Sequence, residues 1–409
     1  MGVDLAGLAE AFAAAFDGRT PTHRVHAPGR VNLVGEHLDY NDLPVLPMAL
    51  QRGITLALRP RDDETVRLVN LDPAYPPVTF EVGVGLEPDG GGAWGDYPKA
   101  AARELARRFA VYRGFDAVVA SDLPPAAGLS SSSALTNAVG LALCEIGLVG
   151  LDALELAGVM AMAEHFTGTM GGGMDQAVTL AGRRGHAARI DFRPLRVRHL
   201  LVPEDWRFVV ADSGVRAEKS GPAQAAYNQR RAECGEALES LCLVLARDGH
   251  VDELPRSYPE LLRAVGSTQA VLAFGEEYLD GALLKRFRHV VSEAARVEEA
   301  RDALMVADIM AFGDLMNASH GSLRTDFLVS SGPLDRLVAI ALEGGAVGAR
   351  LTGAGFGGCI VALADAGTVD GVVDALGRQP PPPLADVPVD RRVFVAEPSD
   401  GAVFEAWPA

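Results

Sequence analysis

The sequence predicts an α+β fold in two domains, on three observations. Strand-like and helix-like segments alternate without the regular rhythm of a long parallel sheet. The chain's 409 residues leave room for two or three domains of ordinary size. Long helical patterns crowd the second half. The division is expected after residue 205, giving domains at 1–205 and 206–409. With 48% hydrophobic and 22% charged residues, the chain has the composition of a packed globular protein.

Leu5, Leu8, Phe12 and Phe16 recur at helical spacing behind Asp4, a residue suited to cap a helix N-terminus. A strand-like run then feeds a dense stretch from His26 to Leu50. Alternating apolar positions at 55–58, 66–69 and 78–82 predict strands. Residues 99–109 read as a helix and 115–120 as a buried strand. Helices are expected at 134–146 and 151–166, strand-like chain at 186–202, and a short strand at 208–211. The second half carries helical patterns at 223–247, 281–300, 302–319 and 333–343, interleaved with strands at 346–351 and 359–364. Four prolines at 380–383 predict a stiff polyproline-type connector before a last strand at 392–396.

The formal charge of −17 repels phosphate backbones and anionic membranes, which argues against nucleic acid or a lipid surface as partner. A nucleotide site here would need a local cradle and a divalent cation. Cys144, Cys234, Cys242 and Cys359 are too few and too scattered for a disulfide framework or a zinc cluster. They read as reduced thiols, which points to the cytoplasm. No basic segment precedes an apolar core near residue 1, and no window reaches 18 uninterrupted apolar residues.

Four stretches carry candidate chemistry. The first, Gly128-Leu129-Ser130-Ser131-Ser132-Ser133-Ala134 after Pro124-Pro125-Ala126-Ala127, lies between a predicted strand and a predicted helix. Free backbone N–H groups and the positive end of the helix dipole bind phosphate at such a turn, and serine hydroxyls can ligate Mg²⁺. The alternative is a polar loop with a surplus of caps. None of the three lysines, Lys99, Lys219 and Lys285, lies beside it, so it is no Walker A loop. The second runs from Ala27 to Asn41 and gathers Arg30, Glu36, His37 and Asp39 among glycines. It suits a hydroxyl-rich ligand, or equally a solvated loop with a salt bridge. In the third, Gly171-Gly172-Gly173-Met174-Asp175-Gln176, a carboxylate sits where a substrate can approach closely, and Glu164 eleven residues earlier could reach a metal. The fourth, Leu351-Thr352-Gly353-Ala354-Gly355-Phe356-Gly357-Gly358-Cys359, is by itself explained as a tight left-handed turn before a strand.

In this order the four stretches resemble the galactokinase family of the GHMP kinases. The resemblance takes in Trp94-Gly95-Asp96-Tyr97, the run from Tyr227 to Cys234, and Ser319-His320-Gly321-Ser322-Leu323-Arg324, and covers about residues 24–364. It implies the two-domain GHMP kinase fold: an N-terminal domain with a ribosomal-protein-like mixed sheet and helices, and a ferredoxin-like C-terminal domain. It implies an ATP- and Mg²⁺-dependent, monomeric kinase acting on the C1 hydroxyl of galactose. By motif match, Asp175 takes or orients the sugar proton, with Arg30 beside it holding it ionised. Backbone N–H groups of Gly128, Leu129, Ser130, Ser131 and Ser132 cradle the ATP phosphates. Ser132 and Glu164 hold Mg²⁺, while Glu36, His37, Asp39, Gly172 and Tyr227 contact sugar hydroxyls.

The chain also departs from the family pattern. Leu38 replaces a usual Thr, Asp42-Leu43-Pro44 replaces a glycine-containing turn, and Gly171 and Gly173 replace a usual Cys and Ile. The triple glycine and the four serines look like N-acetylgalactosamine kinases and plant galactokinases, whereas Asn41 and Tyr227 are galactokinase-like. Ser133 falls where the family commonly has Ala, and is expected to be dispensable. Two other readings stay open: a non-catalytic galactose sensor, and a GHMP kinase for another alcohol such as homoserine or mevalonate.

Overall fold

In the computed structural model the described residues are 3–124, 128–216 and 221–408. Pro125, Ala126 and Ala127 of the serine-rich stretch, and Lys219, lie outside them. The first sheet has six strands among the described residues. Their order is Val403–Ala406, His23–Val34, Leu46–Pro60, Phe115–Ser121, Thr65–Asn70 and Val78–Glu81. Neighbours run antiparallel except Thr65–Asn70 beside Phe115–Ser121, so the sheet is mixed. Its two faces alternate with period 2. Leu56, Leu58, Ala117 and Val119 join the main core, while Ala57, Val118 and Ala120 meet Leu8, Phe12 and Phe16 of helix Leu5–Ala15. Asp4 caps that helix, its side chain accepting from the Ala6 N–H at 3.1 Å. Burial on both faces explains the unbroken apolar run at residues 117–120 of strand Phe115–Ser121.

Helices Asp96–Phe109, Ser131–Ile146, Ala153–Glu164 and Met174–Ala181 pack together on the main-core side. A hairpin, His186–Phe192 with Leu195–Leu201, follows, bridged to the first sheet at Val45 and Ile190. Residue 205 falls between this hairpin and Trp206–Asp212, where a second sheet begins. That sheet is antiparallel, in the order Val393–Ala396, Trp206–Asp212, Cys359–Asp365 and Gly348–Leu351, and helices Ile309–Ser322, Gly332–Glu343 and Val369–Arg378 pack against it. The long helices Gly221–Arg247 and Gly281–Met305 lie against each other.

Three features depart from the sequence expectation. The proline run is not an extended connector throughout: Pro381 is extended, but Pro382–Leu384 closes a 3-10 turn. Helices Tyr258–Val265 and Thr268–Tyr278 fill a stretch left without assignment. Val403–Ala406 leaves the second half and pairs with His23–His26 of the first sheet. All four cysteines are free and buried. Among the described residues no helix is long and apolar enough to cross a membrane.

Candidate active site

The phosphate-loop candidate is built by a break in strand pairing. Between Pro28 and Arg30 the register of His23–Val34 against Leu46–Pro60 shifts, and the Arg30 N–H donates instead to Leu129 O at 3.1 Å. Only glycine fits at position 29, because a Cβ there would lie 2.8 Å from Leu129 O. Gly128 and Ser130 both adopt positive φ, at 70° and 60°, before helix Ser131–Ile146 starts. The backbone amides of its first turn therefore have no helical acceptor of their own. The fourth, glycine-rich stretch lies against this loop: a Cβ on Gly353, at φ +86°, would meet Gly128 O at 2.6 Å. It is a left-handed turn before a strand, and it also walls the pocket through Ala354, Gly355 and Phe356.

Asp175 sits in the first turn of helix Met174–Ala181, behind Gly173 at φ +109°. Arg30 Nε donates to Asp175 Oδ1 at 2.7 Å, and Arg30 Nη1 donates to Gly128 O at 2.6 Å. One guanidinium thus ties the carboxylate to the phosphate loop. Burial opposes the charge on Arg30, but Asp175, Glu36 and Asp39 outweigh it and raise its pKa. Ser133, expected to be dispensable, is fully buried and donates to Asp175 Oδ2 at 3.3 Å. The contact gives the Ser133 hydroxyl a partner on the carboxylate that the sequence did not indicate. Ser132 is partly exposed in the same turn, and its carbonyl accepts from Thr136 Oγ1 at 3.1 Å.

The sugar-site candidates converge on the same pocket. Arg30, Glu36, His37, Asp39, Glu164, Gly172, Asp175 and Tyr227 all line it. Asp39 Oδ2 accepts from the N–H groups of Gly172, at 3.1 Å, and Met174, at 3.4 Å. Gly172 is irreplaceable sterically, since a Cβ would come 2.2 Å from Tyr40 N; at Gly171 it would meet nothing within 4 Å. Burial and the neighbouring Asp175 charge raise the Asp39 pKa. His37 stacks on Phe327 with ring centres 4.5 Å apart and lies 5.7 Å from the Tyr227 ring. Its Nδ1 is 2.9 Å from Tyr40 Oη, and burial drives its pKa well down, so the ring is neutral. Glu164, at the end of helix Ala153–Glu164, is buried.

The second half shapes the loop that presents Glu36, and this was not foreseen. Arg350, with no exposed surface, donates from Nη2 to Glu36 Oε2 at 2.8 Å and from Nη1 to Asn32 O at 3.2 Å. Burial pushes the Glu36 carboxyl up to about 7, with Arg350 and Arg30 pulling it back. Glu293 Oε1 accepts from the N–H of Gly35 at 2.8 Å and from Ser319 Oγ at 2.6 Å, while its Oε2 accepts from Arg296 Nε at 2.7 Å. Burial opposes ionisation of Glu293, but Arg296, His289 and Arg350 hold its pKa at about 2. His289, buried neutral with its pKa lowered to about 4, donates from Nε2 to Glu36 O at 3.1 Å. A signal existed: Arg286, His289, Glu293 and Arg296 recur three or four residues apart on helix Gly281–Met305, a polar face inside a packed protein. Arg350 had none, lying in the short buried strand Gly348–Leu351.

Three family models match the chain: the GHMP kinases N terminal domain at residues 96–183, the GHMP kinases C terminal at 300–381, and the galactokinase galactose-binding signature at 10–60. Fold and site together are those of a GHMP kinase, an enzyme that transfers a phosphoryl group to a hydroxyl. The galactokinase of Chloroflexus aggregans is 42% identical over 88% of each chain, and that of Chloroflexus aurantiacus is 42% identical over 91% of each. The crystal structure of Lactococcus lactis galactokinase complexed with galactose superposes with a TM-score of 0.84 at 30% identity, covering 98% of this chain and 99% of that one. A Methanococcus jannaschii mevalonate kinase, at 18% identity and a TM-score of 0.59, shares the fold. The chain belongs to the galactokinase family.

Proposed function

We propose that the chain transfers the γ-phosphoryl group of ATP to the C1 hydroxyl of galactose, giving galactose 1-phosphate and ADP. The observation that carries this reading is Asp175: one carboxylate lines the pocket with Glu36 and Asp39 and is tied through Arg30 to Gly128 of the phosphate loop. In the reaction Asp175 takes the C1 proton as the sugar oxygen bonds to the γ-phosphorus and the bond to ADP breaks. Arg30 keeps Asp175 ionised and offsets charge on the transferring group. Backbone amides of residues 128–132 hold the phosphates, and Glu36, His37, Asp39, Gly172 and Tyr227 orient the sugar. Ser132 and Glu164 supply a hydroxyl and a carboxylate, hard oxygen donors of the kind Mg²⁺ takes beside substrate phosphates. Among the described residues no group of three or more His, Cys, Asp or Glu could hold a metal alone, so a cation here would share the nucleotide's phosphates. When bound, Mg²⁺ would neutralise phosphate charge.

Residues 1–205 and 206–409 are proposed as the two domains, with Val403–Ala406 handed back to the first. A cytoplasmic monomer remains the proposed state. ADP release measured with galactose, N-acetylgalactosamine, glucose and arabinose tests the acceptor, and a sensor would bind sugar without turnover. Asp175→Asn is expected to cut kcat by roughly 10²–10⁴, with galactose affinity within about tenfold. A variant keeping more than a third of wild-type kcat would remove Asp175 as proton acceptor.

A further inference from the structure

We infer that Ser133 is a positioning residue for the proton acceptor, holding Asp175 Oδ2 while Arg30 holds Oδ1. The inference rests on the reading of Asp175 as acceptor. The torsion that turns a carboxylate about its Cβ–Cγ bond is broad, so one anchored oxygen leaves the other free to swing. Donors at 2.7 Å on Oδ1 and 3.3 Å on Oδ2 remove that freedom. Asp175 keeps 13% of its side chain exposed, enough to meet a substrate from the pocket side.

The direction of the Ser133 hydroxyl is informative. A buried helical Ser or Thr ordinarily turns its hydroxyl back to the carbonyl four residues earlier. Thr136, three residues on, does so, donating to Ser132 O. Ser133 instead reaches Asp175, 42 positions away in the chain, although it has no exposed surface. Leu129, four residues earlier, precedes the left-handed Ser130 and lies outside the helix, and its carbonyl accepts the Arg30 N–H at 3.1 Å. Loop, arginine and serine therefore form one linked set around the carboxylate. Ser133 also stands in the first turn of the helix that follows the phosphate loop, so its tether fixes the acceptor relative to the phosphoryl donor. Displacements of about 1 Å in such a geometry cost up to roughly 10²-fold in rate. A hydrogen bond at 3.3 Å in a ligand-free site also has room to shorten when substrates close in.

The test is a double-mutant cycle in the full chain, read by steady-state kinetics with galactose and ATP. Ser133→Ala is expected to lower kcat about five- to thirtyfold, with both KM values within about twofold, the pattern of an interaction realised in the transition state. In the Asp175→Asn background the same change is expected to alter residual kcat by less than about twofold, because Ser133 acts through the carboxylate. Ser133→Cys, similar in size with a weaker donor, should fall between Ala and wild type, and supplies the measurement if the alanine variant melts below assay temperature. A Ser133→Ala enzyme with more than half of wild-type kcat overturns the inference, as does an equal fractional loss in both backgrounds. Near-wild-type activity of Asp175→Asn would instead remove the acceptor itself, a failure distinguishable from that of Ser133.

Discussion

At the proposed reacting end of the pocket, Arg30 from a strand and Ser133 from a helix hold Asp175, while Gly128 of a loop holds Arg30, all within the first half. At the recognition end, the loop carrying Glu36 is held by Arg350, Glu293 and His289, all from the second half. Helix Gly221–Arg247 adds to this: Asn228 donates to Gly168 O at 3.0 Å and Arg231 to Met170 O at 2.6 Å, just ahead of the triple glycine. The contrast assigns separate duties. On the proposed reading, the proton acceptor is held by side chains of one half, whereas the loop that would select the sugar depends on how the two halves meet. Substitutions in the second half, away from any ligand, should therefore disturb sugar KM more than kcat.

The largest effect is expected at the recognition end itself. Glucose differs from galactose in the direction of its C4 hydroxyl, and a buried acceptor left unpaired costs about 1–3 kcal/mol or more when charged. Galactose is expected to exceed glucose in kcat/KM by at least about 10², and Asp39→Ala to erase most of that preference with most of the activity. Equal kcat/KM for the two sugars would dissolve the selective role given to this end.

A smaller effect separates the ends more sharply. Glu293→Gln weakens the acceptor of Gly35 N–H and Ser319 and unpairs Arg296. Its expected signature is a galactose KM raised about tenfold, with kcat and ATP KM within about threefold and stability lowered by about 1–3 kcal/mol. If kcat falls while galactose KM stays put, the two ends are not separable in this way.

The smallest effect is a pH dependence in which two residues of the recognition end oppose each other. His289 is held at about 4, below the ordinary 6.5. The unfolded chain therefore binds the extra proton between these values, and stability rises with pH from 4 to 6.5. Glu36 is held at about 7, above the ordinary 4.5, so the folded chain keeps the extra proton and stability falls with pH from 4.5 to 7. Between pH 4.5 and 6.5 the two largely cancel. Glu36→Gln should unmask the His289 slope, a gain of about 2 kcal/mol across that window in urea titrations. A flat profile in the variant would mean that His289 does not enter the folded state neutral.

The sequence made the reacting end legible because its parts are contiguous: Gly128 to Ala134 and Gly171 to Gln176 each carry their chemistry in a few consecutive residues. Most strands and helices were readable from periodicity for the same local reason, whereas the mixed sheet was implied only by the family resemblance. The recognition end was half legible. Glu36, His37 and Asp39 stand in one short run, but Arg350 looks like any residue of a four-residue strand until the fold brings it to Glu36. The contact of Ser133 with Asp175 was not legible because which of four neighbouring serines faces Met174–Ala181 depends on helix phase, and the left-handed Ser130 sets that phase. The proline run misled because a row of prolines permits a turn as well as an extended rod. Val403–Ala406 was invisible, being four partly exposed residues whose only distinction is their partner.

That last strand has a consequence for how the molecule is made. Arg24 and Glu405, which pair across it, are 381 positions apart. On the ribosome, residues 23–26 are made before residues 403–406, so this backbone edge lacks its partner until most of the second half has been synthesised. The first sheet is therefore started first and finished last. Throughout synthesis its bare edge is open to pairing with another nascent copy, the usual hazard of an uncovered strand. Completion of the first sheet thus becomes a late event that reports on the synthesis of the second half.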